Sequence, residues 1–132
     1  MIVVDASVVA PALADDGDDG DRARTRLRGE RLLAPELLDL EVISALRRAA
    51  SAGDLDDRRA RLAIDDFTAL DIGRVGHRGL IERIWELRVN VTPYDAAYVA
   101  LAEALAVILV TADARLAQVT GPRCVIELLA PA

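Results

Sequence analysis

Apolar and polar positions fall along this chain in blocks that read as short buried strands separated by helices. Ile2-Val3-Val4 is a β-branched run that stops at Asp5, as a strand buried on both faces would. Ser7 can cap a short helix over Val8 to Leu13, with Pro11 limiting its regularity. Asp15 to Asp21 reads as a solvated turn, and Arg22 to Arg28 as a helix with Ala23 and Leu27 on its inner edge. A short second strand is expected over Arg31 to Ala34. Pro35 then opens the strongest helix, Glu36 to Ala52, which Gly53 ends. A helix from Leu55 to Leu70, a strand from Asp71 to Val75 and a helix marked by Leu80, Ile81, Ile84 and Leu87 follow. Thr92-Pro93 introduces another helix through Leu105. Val107 to Val110 is a second strongly apolar strand, Asp113 to Val119 holds one or two helical turns, and Cys124 to Leu129 is a last strand. Strands that alternate with helices and are too apolar to be half-exposed predict an α/β domain with a parallel sheet covered on both faces.

Composition narrows the chemistry. The length of 132 residues suits one domain. All 16 basic residues are arginine, against 22 acids, for a net charge of −6. Without lysine there is no Walker A loop and no lysine Schiff base. One cysteine, Cys124, and one histidine, His77, exclude an internal disulfide, a cysteine zinc site and HExxH-type metal sites. His77 in the turn GHRG reads as a surface residue, and Trp85 as a core edge. No run of 18 uncharged apolar residues exists, and MIVVDAS lacks the basic start of a signal peptide, so a cytoplasmic protein without a membrane span is expected. An acidic domain is not ordinarily a nucleic-acid binder, unless several of its carboxylates sit on metal ions.

Four acids stand where an acid is hard to explain locally. Asp5 and Asp113 each follow one of the two most apolar strands, and open parallel sheets bind ligands beyond the carboxyl ends of their strands. Glu41 shares a helical stripe with Leu37, Leu38, Val42 and Ala45, where an unpaired carboxylate would cost several kcal/mol or stay protonated. A salt bridge to Arg47 or Arg48 is the plain alternative. Asp95 repeats the pattern ahead of Tyr98, Val99 and Ala102. Clustered together, four carboxylates stay ionised only if cations hold them. All-oxygen ligands select Mg²⁺ or Mn²⁺, and the matching chemistry is phosphodiester hydrolysis.

The segments VVDAS, LLDLEVISALRR, YDAAYVALAEAL and LVTADARLA, in that order, resemble PIN-domain ribonucleases, and among them the toxins of bacterial VapBC toxin–antitoxin pairs. The resemblance spans nearly the whole chain and implies a single PIN-like domain over residues 1–132, with a central, mostly parallel twisted sheet flanked by helices on both faces. It implies a metal-dependent endoribonuclease toxin of a type II system, with Mg²⁺ or Mn²⁺ on Asp5, Glu41, Asp95 and Asp113, acting on RNA and inhibited by a cognate antitoxin. Ser7 and Thr111 match positions whose hydroxyls support the site in relatives. Where some PIN nucleases place another acid or Asn after the last Asp, Arg115 and Leu116 stand here, which makes Arg115 a candidate phosphate contact. A homodimer is also implied. Independently, Leu40 and Ile43 lie on a different side of their helix from Leu38 and Val42, leaving apolar surface for a neighbour. The alternatives are a PIN processing nuclease without an antitoxin and an inactive module that binds metal or a partner. A response-regulator receiver would need a lysine, and a haloacid-dehalogenase phosphatase would need an acid where Ser7 stands.

Overall fold

The computed structural model describes residues 1–131. Five parallel strands form one sheet: β1 (Ile2–Val4), β2 (Leu32–Pro35), β3 (Ile72–Val75), β4 (Leu109–Thr111) and β5 (Ile126–Leu128), in the order β3-β2-β1-β4-β5. Val3 is registered between Leu33 and Leu109, with β1 wholly buried, which is why the first strand is purely β-branched. Helices α1 (Ala6–Ala14) and α2 (Asp18–Leu27) join β1 to β2, and α3 (Leu38–Ser51) and α4 (Asp57–Ala69) join β2 to β3. A 3₁₀ turn (Arg78–Leu80), α5 (Ile81–Glu86) and α6 (Pro93–Leu105) return the chain to β4, and α7 (Ala114–Gln118) leads to β5.

Parallel crossovers are right-handed, so outward steps from β1 to β3 place α1–α4 on one face. The return to β4 and on to β5 runs the other way and places α5–α7 on the opposite face. Contacts agree: α1 packs on α2, α3 and α4, and α6 on α5. Strand order reverses between β1 and β4, and a crevice opens beyond the carboxyl ends of these two strands. Helix α6 lies deepest, with every residue from Ala96 to Ala102 buried. Gly20 is required where α2 meets the end of α1, since a Cβ there would sit 1.8 Å from the Asp15 carbonyl oxygen. Among the described residues no helix is long and apolar enough to cross a membrane.

Several local expectations shift. The acid run is not all turn: Asp18, Asp19 and Asp21 form the first turn of α2, where the helix dipole favours negative charge. Asp5, not Ser7, caps α1. Pro35 ends β2 instead of opening a helix, and α3 begins at Leu38. His77 is half-buried rather than a bystander: its Nε2 accepts the Leu37 N–H at 3.1 Å, supplying the cap that α3 lacks from its own side chains. Trp85 is 66% exposed, with the Arg88 guanidinium over its ring, and the buried residues here are Leu80 and Leu87, which flank α5.

Candidate active site

The site grows from the way β1 and β4 end. Backbone N–H groups at a helix start need acceptors, and a short polar side chain just before the helix provides them. Asp5 does this for α1, its Oδ1 accepting the Ser7 N–H at 3.1 Å, and Asp113 does it for α7, accepting the Arg115 N–H at 2.9 Å. Two hydroxyls tie these ends together. Ser7 Oγ donates to Asp5 Oδ1 and accepts the Ala112 N–H at 2.8 Å. Thr111 Oγ1 donates to Asp5 Oδ2 at 2.6 Å and accepts the Asp113 N–H at 3.1 Å. Both carboxylate oxygens of Asp5 are therefore held in place by Ser7 and Thr111.

The other two acids come from opposite layers. Glu41 lies in the first turn of α3, and Asp95 in the first turn of α6, where Thr92 is the cap and Pro93 the first helical residue. Tyr98, only 1% exposed, donates its hydroxyl to Glu41 Oε1 at 2.6 Å. That bond crosses the end of the sheet, from the α6 layer to the α3 layer. The alternative of a Glu41 bridge to Arg47 or Arg48 is not made, and Arg48 donates instead to Ser44 Oγ at 2.9 Å.

All four acids line one cleft of ≈ 310 Å³, together with Ser7, Tyr98 and Arg48. Burial pushes the Asp5 carboxyl up to about 6; the hydroxyls of Ser7 and Thr111 pull it down, and the charge of Asp95 adds to the rise. Burial also raises Asp95, followed by the charge of Asp113, against weaker opposition from Thr92 and Arg115. The nearest protein cation to any of these acids in an ion pair is Arg115, 3.6 Å from Asp113 and 95% exposed. The cleft is thus a concentration of oxygen ligands short of positive charge. Among the described residues no three such side chains are drawn close enough to hold a metal ion directly. The donor set, carboxylates and hydroxyls without His or Cys, suits a hydrated ion bound through one or two carboxylates, as Mg²⁺ prefers, and not a fully dehydrated four-carboxylate cage.

Sequence reasoning missed Tyr98 as the partner of Glu41 and Arg48 as a cleft residue. A signal existed for each, since Tyr98 is one turn beyond Asp95 and Arg48 two turns beyond Glu41.

Comparison with known proteins places this geometry. Residues 2–122 match the model of the PIN domain family. The chain is 46% identical over 129 residues to a VapC ribonuclease of Mycobacterium bovis, covering 98% of each. The fold is shared with the sarcin-ricin-loop-cleaving toxin VapC20 of Mycobacterium tuberculosis, at a TM-score of 0.69 and 17% identity over 89% of this chain and 93% of that one. It is shared also with VapBC2 of Rickettsia felis, solved on a promoter DNA fragment, at a TM-score of 0.65 and 15% identity over 96% of this chain and 98% of that one. With its acids gathered at the β1–β4 switch point, the chain belongs to the PIN domain family and, within it, stands with the VapC ribonucleases.

Proposed function

We propose that this protein is the toxin of a type II toxin–antitoxin system, an endoribonuclease that hydrolyses RNA phosphodiester bonds with hydrated Mg²⁺ or Mn²⁺ held among Asp5, Glu41, Asp95 and Asp113, directly by some and through water by the others. The observation that carries the reading is one cleft lined by four carboxylates, two of them, Asp5 and Asp95, pushed upward by burial and then by a neighbouring carboxylate, with almost no protein cation to balance them. A divalent ion bound there supplies a water of lowered pKa and offsets the charge of the phosphate. The chain's own work is positional. Ser7 and Thr111 fix both oxygens of Asp5, Tyr98 fixes one oxygen of Glu41 and leaves the other to the cleft, and helix starts aim Asp95 and Asp113. Relatives named as ribonucleases support the activity.

Restraint by a cognate antitoxin has a physical basis in the same cleft, because an Arg or Lys from a partner can pair with these carboxylates and compete with metal. Leu40 (76% exposed) and Ile43 (43%) on α3 leave apolar surface for a second copy of the chain, in keeping with a homodimer. A cytoplasmic location is in keeping with an RNA substrate.

The test is cleavage of single-stranded RNA by purified protein. EDTA abolishes cleavage and added Mn²⁺ or Mg²⁺ restores it. Asp5→Asn, Glu41→Gln, Asp95→Asn and Asp113→Asn each abolish it while the fold survives. Full activity in EDTA, with protein shown to be free of metal, overturns the reading.

A further inference from the structure

Among the described residues the acidic cleft contains one basic side chain, Arg48, and no acid pairs with it. Other arginines are spent on structure: Arg26 on Glu30 and Glu127, Arg59 on Asp16, Arg74 on Asp39 and Arg83 on Glu103. Among the described residues the Arg48 side chain bonds only to Ser44, one turn back on α3, although four carboxylates line the same cleft. It lies seven residues beyond Glu41, roughly 10 Å along the helix axis, so it stands beside the acids without neutralising them. Beyond the acids the groove continues. Asp95 and Asp113 also line a second cleft of ≈ 250 Å³, which holds Arg115 and Asn90. The two acids therefore form a wall between two small clefts, each with an exposed arginine at it.

We propose that Arg48 binds a phosphate of a single-stranded RNA flanking the one that is cut, so that the strand runs from Arg48 across the Asp95–Asp113 wall toward Arg115. This rests on the nuclease reading of the site. A guanidinium presents paired N–H donors to phosphate oxygens and keeps its charge at every relevant pH. Two clefts of this size follow one backbone and do not enclose a duplex. Metal at the acids would meet the scissile phosphate, and Arg48 takes a neighbour directly, which gives a strongly acidic protein a way to hold a polyanion.

The experiment measures binding of a labelled ten-nucleotide RNA, one that the wild-type protein cuts, to the Asp95→Asn protein in Mg²⁺, with a gel confirming that the strand stays whole. Adding Arg48→Gln weakens binding about tenfold and lowers the slope of log affinity against log salt by about 0.7, the value for one phosphate contact on a single strand. Arg48→Lys retains the slope. Replacing phosphates one at a time with neutral methylphosphonates reveals one position, off the cut site, where the loss vanishes once Arg48 is Gln. In the otherwise wild-type enzyme Arg48→Gln raises KM with kcat within about twofold. An unchanged salt slope with a lowered Tm overturns the proposal and assigns Arg48 to the carboxyl end of α3 as a dipole partner. Cleavage by the Asp95→Asn protein on the gel would instead count against the site itself.

Discussion

Helix α6 carries two half-buried acids eight residues apart, and the protein treats them in opposite ways. At the far end, burial pushes the Glu103 carboxyl up, but the Arg83 guanidinium and the Arg123 N–H more than reverse this, and it settles below the usual range. Arg83 grips both oxygens, Nε to Oε1 at 2.7 Å and Nη2 to Oε2 at 3.1 Å. At the near end, burial raises Asp95 in the same way, yet the closest strong influence is another carboxylate, Asp113, and it settles above the range. Burial is common to both. The cation is what differs. Where an acid holds the structure together, another element of this chain delivers an arginine to it, tying α5 to α6. Where the acids meet at the switch point, Arg48 lines the cleft without pairing with an acid and the exposed Arg115 reaches only Asp113, at 3.6 Å, so the deficit is left for something from outside.

The largest way to break this contrast is to neutralise each acid in turn. Asp95→Asn lowers RNA cleavage on the order of 10³-fold and leaves the metal-free protein melting no lower than wild type, since it removes a repelled charge. Glu103→Gln does the reverse: cleavage stays within about threefold, while urea denaturation shows a loss of about 2 kcal/mol, because Arg83 loses its charged partner. Exchange of the two phenotypes would show that the acids have been assigned the wrong way round.

Asp5 sharpens the contrast through pH. Its carboxyl titrates at about 6 in the fold against 3.8 as a free side chain, so the folded state holds the proton more tightly. The stability from this group is full below pH 4 and is lost as pH rises through about 6, on the order of 2–3 kcal/mol in metal-free protein. Acids such as Glu103 slope the other way, so the measurement is wild type minus Asp5→Asn across pH 4 to 8. A flat difference would mean that the Asp5 charge is already compensated. Bound Mg²⁺ or Mn²⁺ should reverse the slope, because metal takes the ionised form.

Tyr98→Phe is the smallest test. Losing the hydroxyl frees Glu41, so the metal concentration for half-maximal cleavage rises about tenfold, with about 1 kcal/mol lost in stability. An unchanged metal requirement would reduce the Tyr98–Glu41 bond to a packing contact.

The four acids that line the cleft stand out in the sequence because each is locally out of place: Asp5 and Asp113 at the ends of apolar strands, Glu41 and Asp95 on apolar helical stripes. Both strands and helices were legible for the same reason, as runs of β-branched residues and repeats of one helical turn. Boundaries were less so. Pro35 is compatible with either the end of a strand or the start of a helix, and only its pairing with Val75 on β3 settles it as strand. Trp85 carried the apolar signal of a core residue but faces outward, since periodicity does not say which side of a short helix finds a neighbour.

The sequence by itself therefore determined the alternation of strand and helix, the buried strands, the absence of lysine chemistry and the four acids. Tertiary structure alone decided who meets whom: Tyr98 with Glu41 across 57 positions, His77 with the start of α3 across 40, Arg26 with Glu127 across 101. The reason is physical. Hydrophobic period and helix capping act over a few neighbouring residues and are written locally. Partners between layers depend on the direction of each crossover and the reversal of strand order between β1 and β4, which exist only once the sheet has assembled.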